Sequence, residues 1–252
     1  MAKKSSRHNP NESISERRVK RQLLAALLAA GITASAQAQS KPRAGLGADF
    51  VSTYVWRGLK QAGVSLQPEV SVGWKGLNFS VWGSVALTAG KEDINEIDLT
   101  LSYQRGGLSF GIIDYWNDAN HTPYFYYKGN TTGHSFEGYA GYDFGPVSVS
   151  WQTIFAGNDY QEADGKRAWS SYIQLLAPFR LLTCEWEGEL GLVPWASDYY
   201  STKGFRVTNI SLRATKAIKI TKSFSLPLFV QLIGNPTSEK MYFLGGFTLK
   251  AL

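Results

Sequence analysis

From residue 44 onward, apolar and polar residues alternate along segments of about ten residues. In one such segment, for example, Ile97 and Leu99 lie on either side of Asp98. Successive side chains of a β-strand point to opposite faces, so this pattern predicts strands with one apolar face and one polar face. Gly, Pro, Asn, Asp and Lys residues separate the segments, and no segment has a clear helical period.

The alternation predicts twelve strands. They cover residues 44–57, 66–74, 77–88, 94–104, 107–117, 133–143, 146–156, 168–178, 181–192, 204–219, 223–233 and 240–251. Aromatic residues gather near the predicted strand ends, as they do where a membrane meets water. These aromatic residues are Tyr54, Trp56, Trp74, Tyr115, Trp116, Tyr139, Tyr142, Trp169, Trp195, Tyr199 and Tyr200.

The connections between the predicted strands alternate in length. Those after even-numbered strands are short turns, such as Lys75 and Gly76, whereas those after odd-numbered strands are longer, as at 118–132. An outer-membrane barrel has short periplasmic turns and longer external loops, while a soluble β-sandwich has no reason to sort its loops in this way. The sequence therefore predicts an all-β fold, a transmembrane antiparallel up-and-down β-barrel of about twelve strands.

The first 38 residues have the organisation of a secretory signal peptide. Basic residues precede the apolar run 23–30, and Ala36-Gln37-Ala38 supplies a cleavage site. We therefore expect a signal peptide at 1–38 and an outer-membrane barrel at 39–252, in a Gram-negative cell. No later segment contains the roughly 18 consecutive apolar residues that a transmembrane helix needs.

The leader also explains the basic composition of the chain. The whole sequence has 26 Lys and Arg against 20 Asp and Glu, and the leader holds seven of these basic and two of these acidic residues. The remaining 19 basic and 18 acidic residues nearly cancel. We therefore expect no nucleic-acid partner, although a basic chain would otherwise suggest one.

The segment 52–61 reads S-T-Y-V-W-R-G-L-K-Q, and it is followed by Gln67-Pro68 and by V-W-G-S at 81–84. This stretch of about thirty residues resembles the opening of the TorF family of porin-like proteins, whose pattern is S-x-Y-x-x-R-G-x-x-Q, then Pro, then W-G-S. Lys60 stands at one of the variable positions of that pattern, where the resemblance leads us to expect Ser. The resemblance implies an outer-membrane barrel with a pore.

Arg57 is the first candidate for a functional site. We predict it at the outer end of strand 44–57, on the inner face that it shares with Asp49 and Thr53. There it either lines the mouth of a pore and attracts anions, or is held by an interior carboxylate, because charges in confined sites are usually paired.

Three glutamates form the most concentrated charge feature. Glu185, Glu187 and Glu189 alternate along one strand, so all three are predicted on the inner wall. In a water-filled lumen they would favour cations. In a plugged lumen they would pair with bases, namely Arg213, Lys250 or Lys75, because unpaired buried charge is costly. With Arg57 and Asp98, these glutamates and Arg213 are the predicted pore-lining residues.

The sequence supports neither an enzyme nor a metal site. His134 and Ser135 are neighbours, so their side chains point to opposite faces and cannot pair as base and nucleophile. The one cysteine, Cys184, allows no intramolecular disulfide, and with the two scattered His residues that follow the leader, His121 and His134, it gives no ligand cluster. The aromatic loop 118–132 either folds inward as a constriction, stacks on sugars or packs against its own rim.

The predicted function is a porin-like channel for passive passage of small polar solutes or ions, with outer-membrane lipid and those solutes as partners and no cofactor. The alternative is a non-conducting structural or adhesion barrel, because large side chains such as Trp82, Tyr172, Phe229 and Tyr242 crowd the predicted interior. A lipid-modifying barrel enzyme is a third hypothesis. A lumen of twelve strands lies between filled eight-stranded barrels and open sixteen-stranded porins, so strand number does not separate the first two.

Overall fold

A computed structural model describes residues 41–88, 90, 93–119, 121–161 and 164–250. The predicted signal peptide lies outside these residues. In the described part of the chain, no helix is long and apolar enough to cross a membrane.

The described residues form β-strands and one 3-10 turn, Gly129–Thr131. The strands are β1 (Arg43–Val51), β2 (Tyr54–Trp56), β3 (Leu59–Ala62), β4 (Ser65–Trp74), β5 (Leu77–Ala86), β6 (Glu96–Arg105), β7 (Leu108–Asn117), β8 (His134–Asp143), β9 (Ser148–Gly157), β10 (Ser171–Leu181), β11 (Cys184–Val193), β12 (Arg206–Lys219), β13 (Ser225–Asn235) and β14 (Lys240–Lys250).

Twelve of these strands form a closed antiparallel barrel, and β2 and β3 form a separate two-stranded sheet. Consecutive wall strands pair with each other around the ring. The ring closes because β1 pairs with β4 on one side and with β14 on the other, where Phe50 lies opposite Phe247. The predicted twelve-stranded up-and-down barrel is therefore confirmed.

Short connections lie at one end of the barrel and most of the longer ones at the other, as predicted. At one end of the barrel, here called the turn end, the connections are 75–76, 106–107, 144–147, 182–183 and 220–224. At the other end, here called the loop end, they are 52–64, 87–95, 118–133, 158–170, 194–205 and 236–239.

The two faces of the wall differ in polarity. Apolar side chains point outward and stay about half exposed, among them Val70, Leu101 and Ile112. Polar side chains that alternate with them point inward and are buried, as Thr100 does in β6. Period-two alternation therefore correctly predicted which residues face the interior.

Several of the aromatic residues predicted at membrane interfaces lie inside the barrel instead. Trp74, Tyr142, Trp169 and Trp195 are outwardly exposed near the strand ends, as expected. Tyr54, Tyr115 and Tyr200 are buried, and with the partly buried Trp56 they pack against one another at the loop end. Their position in the sequence, near a strand end, gave no information on which face they would take.

The first predicted strand, 44–57, is too long. The wall strand β1 ends at Val51, and the chain then turns inward to form β2, so Arg57 is not at the outer end of a wall strand. The alternation continues through Tyr54 and Trp56 because β2 is itself a strand, with aromatic residues that pack inside the barrel. Hydrophobic periodicity therefore did not mark the point where the chain leaves the wall.

Interior aromatic rings lie over glycines of neighbouring strands. A Cβ added to Gly246 would come within 2.5 Å of the Phe229 ring and 2.2 Å of the Phe50 carbonyl oxygen. Gly246 is opposite Phe229 in the register, so the absent side chain leaves room for that ring. The next residue, Gly245, has only ordinary contacts, since its added Cβ would lie 3.6 Å from the nearest atom.

We predict that Gly246→Val destabilises the barrel by about 1–3 kcal/mol, because the new side chain must displace Phe229. The matched variant Gly245→Val is expected to be neutral or slightly stabilising, because Val favours strands. Urea titration of the folded protein, followed by Trp fluorescence, measures both. Equal midpoints for the two variants would contradict the close packing of Phe229 on Gly246.

Candidate functional site

The hairpin β2–β3 lies within the loop end of the barrel. Its two strands pair with each other and with no wall strand, with Trp56 opposite Leu59. Trp56 stacks on Tyr200 at 5.8 Å between ring centroids and meets Tyr115 edge-on at 5.7 Å. The hairpin is therefore held by side-chain contacts and by the backbone hydrogen bond from the Ile94 N–H to the Gln61 carbonyl oxygen, and not by pairing with the wall.

Arg57 stands at the turn of this hairpin, where it has a positive φ of 48° and precedes Gly58. Its guanidinium donates two hydrogen bonds to Glu137 on β8, at 2.6 and 2.8 Å, and one to the Tyr200 hydroxyl at 2.5 Å. The Tyr115 hydroxyl donates to the same Glu137 carboxylate at 3.0 Å. This bidentate pair matches the interpretation in which an interior carboxylate holds Arg57, and Glu137 is that carboxylate.

The aromatic surroundings of Arg57 favour its charged form. Its guanidinium lies 4.4 Å from the centroid of the Trp56 ring and 4.6 Å from that of Tyr172. Burial by itself lowers the pKa of the Arg57 guanidinium, but the Glu137 carboxylate outweighs this effect and raises that pKa well above its ordinary value. Arg57 and Glu137 therefore form a buried ion pair at the tip of the hairpin.

Two loop-end connections position Tyr200 against Arg57. Asp159, in the connection after β9, accepts hydrogen bonds from the Ser170 backbone N–H at 2.9 Å and from its hydroxyl at 2.5 Å. The Ser170 hydroxyl contacts that of Ser197 at 2.6 Å, and Ser197 accepts the backbone N–H of Tyr200. Burial raises the pKa of Asp159 despite these hydrogen bonds, and burial likewise raises the pKa of the Tyr200 hydroxyl.

Below the hairpin, the lumen contains a cavity of about 430 Å³. The hairpin residues from Thr53 to Gly58 line it on the side of the loop end, and no described residue of another loop-end connection contributes to its lining. On the opposite side its lining reaches Gly107, Gly145 and Lys250, at the turn end. The cavity therefore extends from the hairpin to the turn end of the barrel.

Some of the predicted pore-lining residues line the cavity, and others do not. Asp98, Glu189 and Arg213 line the cavity together with Arg57. Glu189 accepts hydrogen bonds from the Tyr172 hydroxyl at 3.2 Å and from the Gln174 amide at 2.8 Å.

The three glutamates of β11 do not act as one stripe. Glu185 is at the turn end, where its partly exposed carboxylate pairs with Arg180. Glu187 is buried opposite Arg213 in the register, yet both of its carboxylate oxygens lack a hydrogen-bond partner. Arg213 instead stacks over the Phe229 ring, with 3.7 Å from its guanidinium carbon to the ring centroid. Arg213 was predicted to pair with a glutamate. Within the part of the chain that the structure describes, it makes no direct ion pair with one.

Sequence reasoning missed Glu137 and the carboxyl group of Glu96, which accepts the Tyr54 hydroxyl at 2.9 Å. Both face inward on strands whose polarity was predicted correctly. Glu137 is a single glutamate among Ser, Tyr and Gly residues. That isolation was the available signal of an interior ion pair, because a buried carboxylate requires a partner. Its partner is 80 residues away in the chain, and no periodicity encodes that distance.

The aromatic loop after β7 packs against its own rim, and none of its described residues lines the cavity. His134 is fully buried beneath it, stacked on Tyr127 at 4.3 Å. The His134 Nδ1 is 2.8 Å from an Asp114 carboxylate oxygen, and its Nε2 is 2.5 Å from the Tyr124 carbonyl oxygen. The neighbouring Ser135 hydroxyl donates to the Asn158 carbonyl, in the next loop-end connection.

Among the described residues, no group of three or more His, Cys, Asp or Glu side chains could hold a metal ion. Comparison with models of known protein families and with curated proteins gave no significant match. The resemblance of residues 52–61 and 81–84 to the TorF pattern therefore stays a prediction.

We predict that Glu137→Gln destabilises the protein by about 3–5 kcal/mol, because it leaves the Arg57 charge buried without its counter-charge. The double variant Arg57→Met/Glu137→Gln is expected to recover much of this loss, since it removes both charges. The control is Glu185→Gln, which breaks an exposed pair and should cost no more than about 1 kcal/mol. Urea midpoints measure all three, and an equal loss for Glu137→Gln and Glu185→Gln would refute the buried pair.

A second prediction concerns the loop over His134. His134→Ala removes the contacts to Asp114 and Tyr124, so the loop should detach and trypsin should cleave after the exposed Lys128 several-fold faster. The control His121→Asn changes an exposed histidine of the same loop to a residue that tolerates its positive φ. Cleavage at the wild-type rate in His134→Ala would show that the histidine does not anchor the loop.

Proposed function

We propose that this protein is an outer-membrane, porin-like channel for small polar solutes or ions, closed at its loop end by the hairpin β2–β3. The observation that carries the proposal is the cavity of about 430 Å³ inside a closed barrel, with a lining of both polar and apolar residues that reaches the turn end. Side chains fill the interior of eight-stranded barrels, whereas this twelve-stranded barrel leaves space for a small solute.

The outer surface supports a membrane location. A closed barrel satisfies the backbone hydrogen bonds of its wall internally, as a lipid environment requires. Its outward side chains are apolar along the strands, with exposed aromatic residues such as Trp74, Trp169 and Trp195 near the ends. The leader at 1–38 supports export. Under this proposal the turn end faces the periplasm and the loop end faces outward.

Passage through the lumen requires the hairpin to move. Its contacts with the wall include no strand pairing, so it can leave the lumen without breaking the pairing of the wall strands. The strongest of these contacts is the Arg57–Glu137 pair. The same pair is the specific observation that favours the rival function, a non-conducting barrel whose hairpin is a permanent plug.

Conductance in planar bilayers tests the proposal. We predict rare openings for the wild type and an open fraction about tenfold larger or more for Arg57→Ala, because charged hydrogen bonds that hold the closed state are lost. A variant with residues 53–63 replaced by a short Gly-Ser turn should be open continuously. The ends of β1 and β4 adjoin, with Val51 opposite Ser65, so a short turn can join them.

Arg180→Ala is the control, because Arg180 also pairs with a glutamate but lies at the turn end. It should conduct like the wild type. If the variant without the hairpin inserts as a folded barrel and still shows no channel events, the channel proposal fails and the non-conducting barrel is favoured.

A further inference from the structure

Asp98 lies on the wall of the cavity between two aromatic residues. It lies in β6, directly opposite Trp82 on β5 and Tyr115 on β7. All three residues line the cavity. Directly opposed residues on neighbouring strands have Cβ atoms about 5 Å apart, so the carboxyl group of Asp98 is flanked by an aromatic side chain on each side.

The carboxyl group of Asp98 is incompletely satisfied. The residue is 7% exposed, and its Oδ1 atom has no hydrogen-bond partner among the described residues. Glu96, two residues away on the same face, accepts the Tyr54 hydroxyl at 2.9 Å. Two carboxyl groups on one face of a strand repel each other when both are ionised, and a nearby positive charge offsets that repulsion.

The cavity as a whole carries more acidic than basic residues. Its lining contains six carboxyl residues and three basic residues. The carboxyl residues are Asp49, Glu69, Asp98, Glu137, Asp143 and Glu189, and the basic residues are Arg57, Arg213 and Lys250. Arg57 is committed to Glu137, and no described base lies within 4.0 Å of Asp98. The field inside the cavity therefore favours a positively charged solute.

We propose that the cavity binds an organic ammonium ion at Asp98, between Trp82 and Tyr115. The carboxylate supplies the counter-charge, and aromatic faces attract ammonium groups through their quadrupole, as they do in sites for quaternary ammonium ligands. The solute enters from the turn end, where the lining of the cavity reaches Gly145 and Lys250. This proposal rests on the proposed channel function, since it names the class of solute that the lumen holds.

Other solutes fit the cavity less well. A bare metal ion needs several oxygen or nitrogen ligands, and the described residues contain no group of three suitable side chains. An anion could use Arg213, but the opposing Glu187 and the nearby Asp49 offset the charge of that guanidinium. An organic cation uses both features that are present, the unpartnered carboxylate oxygen and the aromatic walls.

Isothermal titration calorimetry of the folded barrel in detergent tests the site, with choline chloride as the probe. Its neutral isostere, 3,3-dimethyl-1-butanol, has the same shape and no charge. We expect choline to bind and the isostere to bind about tenfold or more weakly. Asp98→Asn should reduce the affinity for choline by about tenfold or more and leave that for the isostere unchanged.

The control is Asp143→Asn, which removes a carboxylate from the turn end of the same cavity. The amide introduced there would keep the oxygen that accepts the Gly145 N–H, so the local turn is preserved. A second variant, Trp82→Leu, keeps Asp98 and should weaken choline binding through loss of the ring. Absence of choline binding, equal binding of the isostere, or an affinity unchanged in both Asp98→Asn and Trp82→Leu would overturn the site.

Binding in detergent does not depend on whether the hairpin opens. Choline binding without conductance in any variant would retain the ammonium site and reject the channel. Conductance without choline binding would retain the channel and reject the ammonium site.

Discussion

The structure depends on the pairing of its first wall strand with its last. Because β1 pairs with both β4 and β14, the sheet has no free edge, and the backbone groups of the wall find partners within it. Closure divides the side chains into an outward set and an inward set. The outward set is free to be apolar, whereas the inward set surrounds a confined space in which every charge requires compensation. The polar network of the lumen and the exposed apolar surface are two consequences of one constraint.

The hairpin β2–β3 follows from the same constraint. Twelve strands complete the wall, so the segment between β1 and β4 is left over, and it turns into the lumen. Its aromatic side chains would be exposed if it projected outward, but inside they pack on Tyr115 and Tyr200. Arg57 can be buried there only because Glu137 faces it from the wall. The lining of the cavity on the side of the loop end thus has its origin in a single inserted segment.

The local parts of this arrangement were predictable from the sequence. The segment 94–104 was predicted as a strand and is found as β6, and the alternation in it correctly placed Asp98 inside the barrel. These predictions succeed because strand period and turn length are encoded by neighbouring residues.

Contacts across the lumen were not predictable. Arg57 and Glu137 meet because the hairpin docks on a distant strand, and period-two alternation does not distinguish a wall strand from an inserted one. The loop 118–132 shows the same limit, since its aromatic composition fits packing on the rim as well as constriction of the lumen. The candidate cation site depends both on the local sequence pattern and on contacts between strands. Asp98 was found from the pattern, but the aromatic side chains that flank it follow from the register of three strands.

The central claim is that the first and last wall strands close the ring, and a disulfide between them tests it most directly. In a Cys184→Ser background, Phe50→Cys and Phe247→Cys place thiols where two stacked rings now lie with centroids 5.3 Å apart. A closed barrel predicts efficient cross-linking under mild oxidation, seen as altered mobility of the denatured chain. It also predicts no cross-link for Phe50→Cys with Phe243→Cys, four residues and about 13 Å further along β14. Equal cross-linking of both pairs, or of neither, would contradict the closed ring.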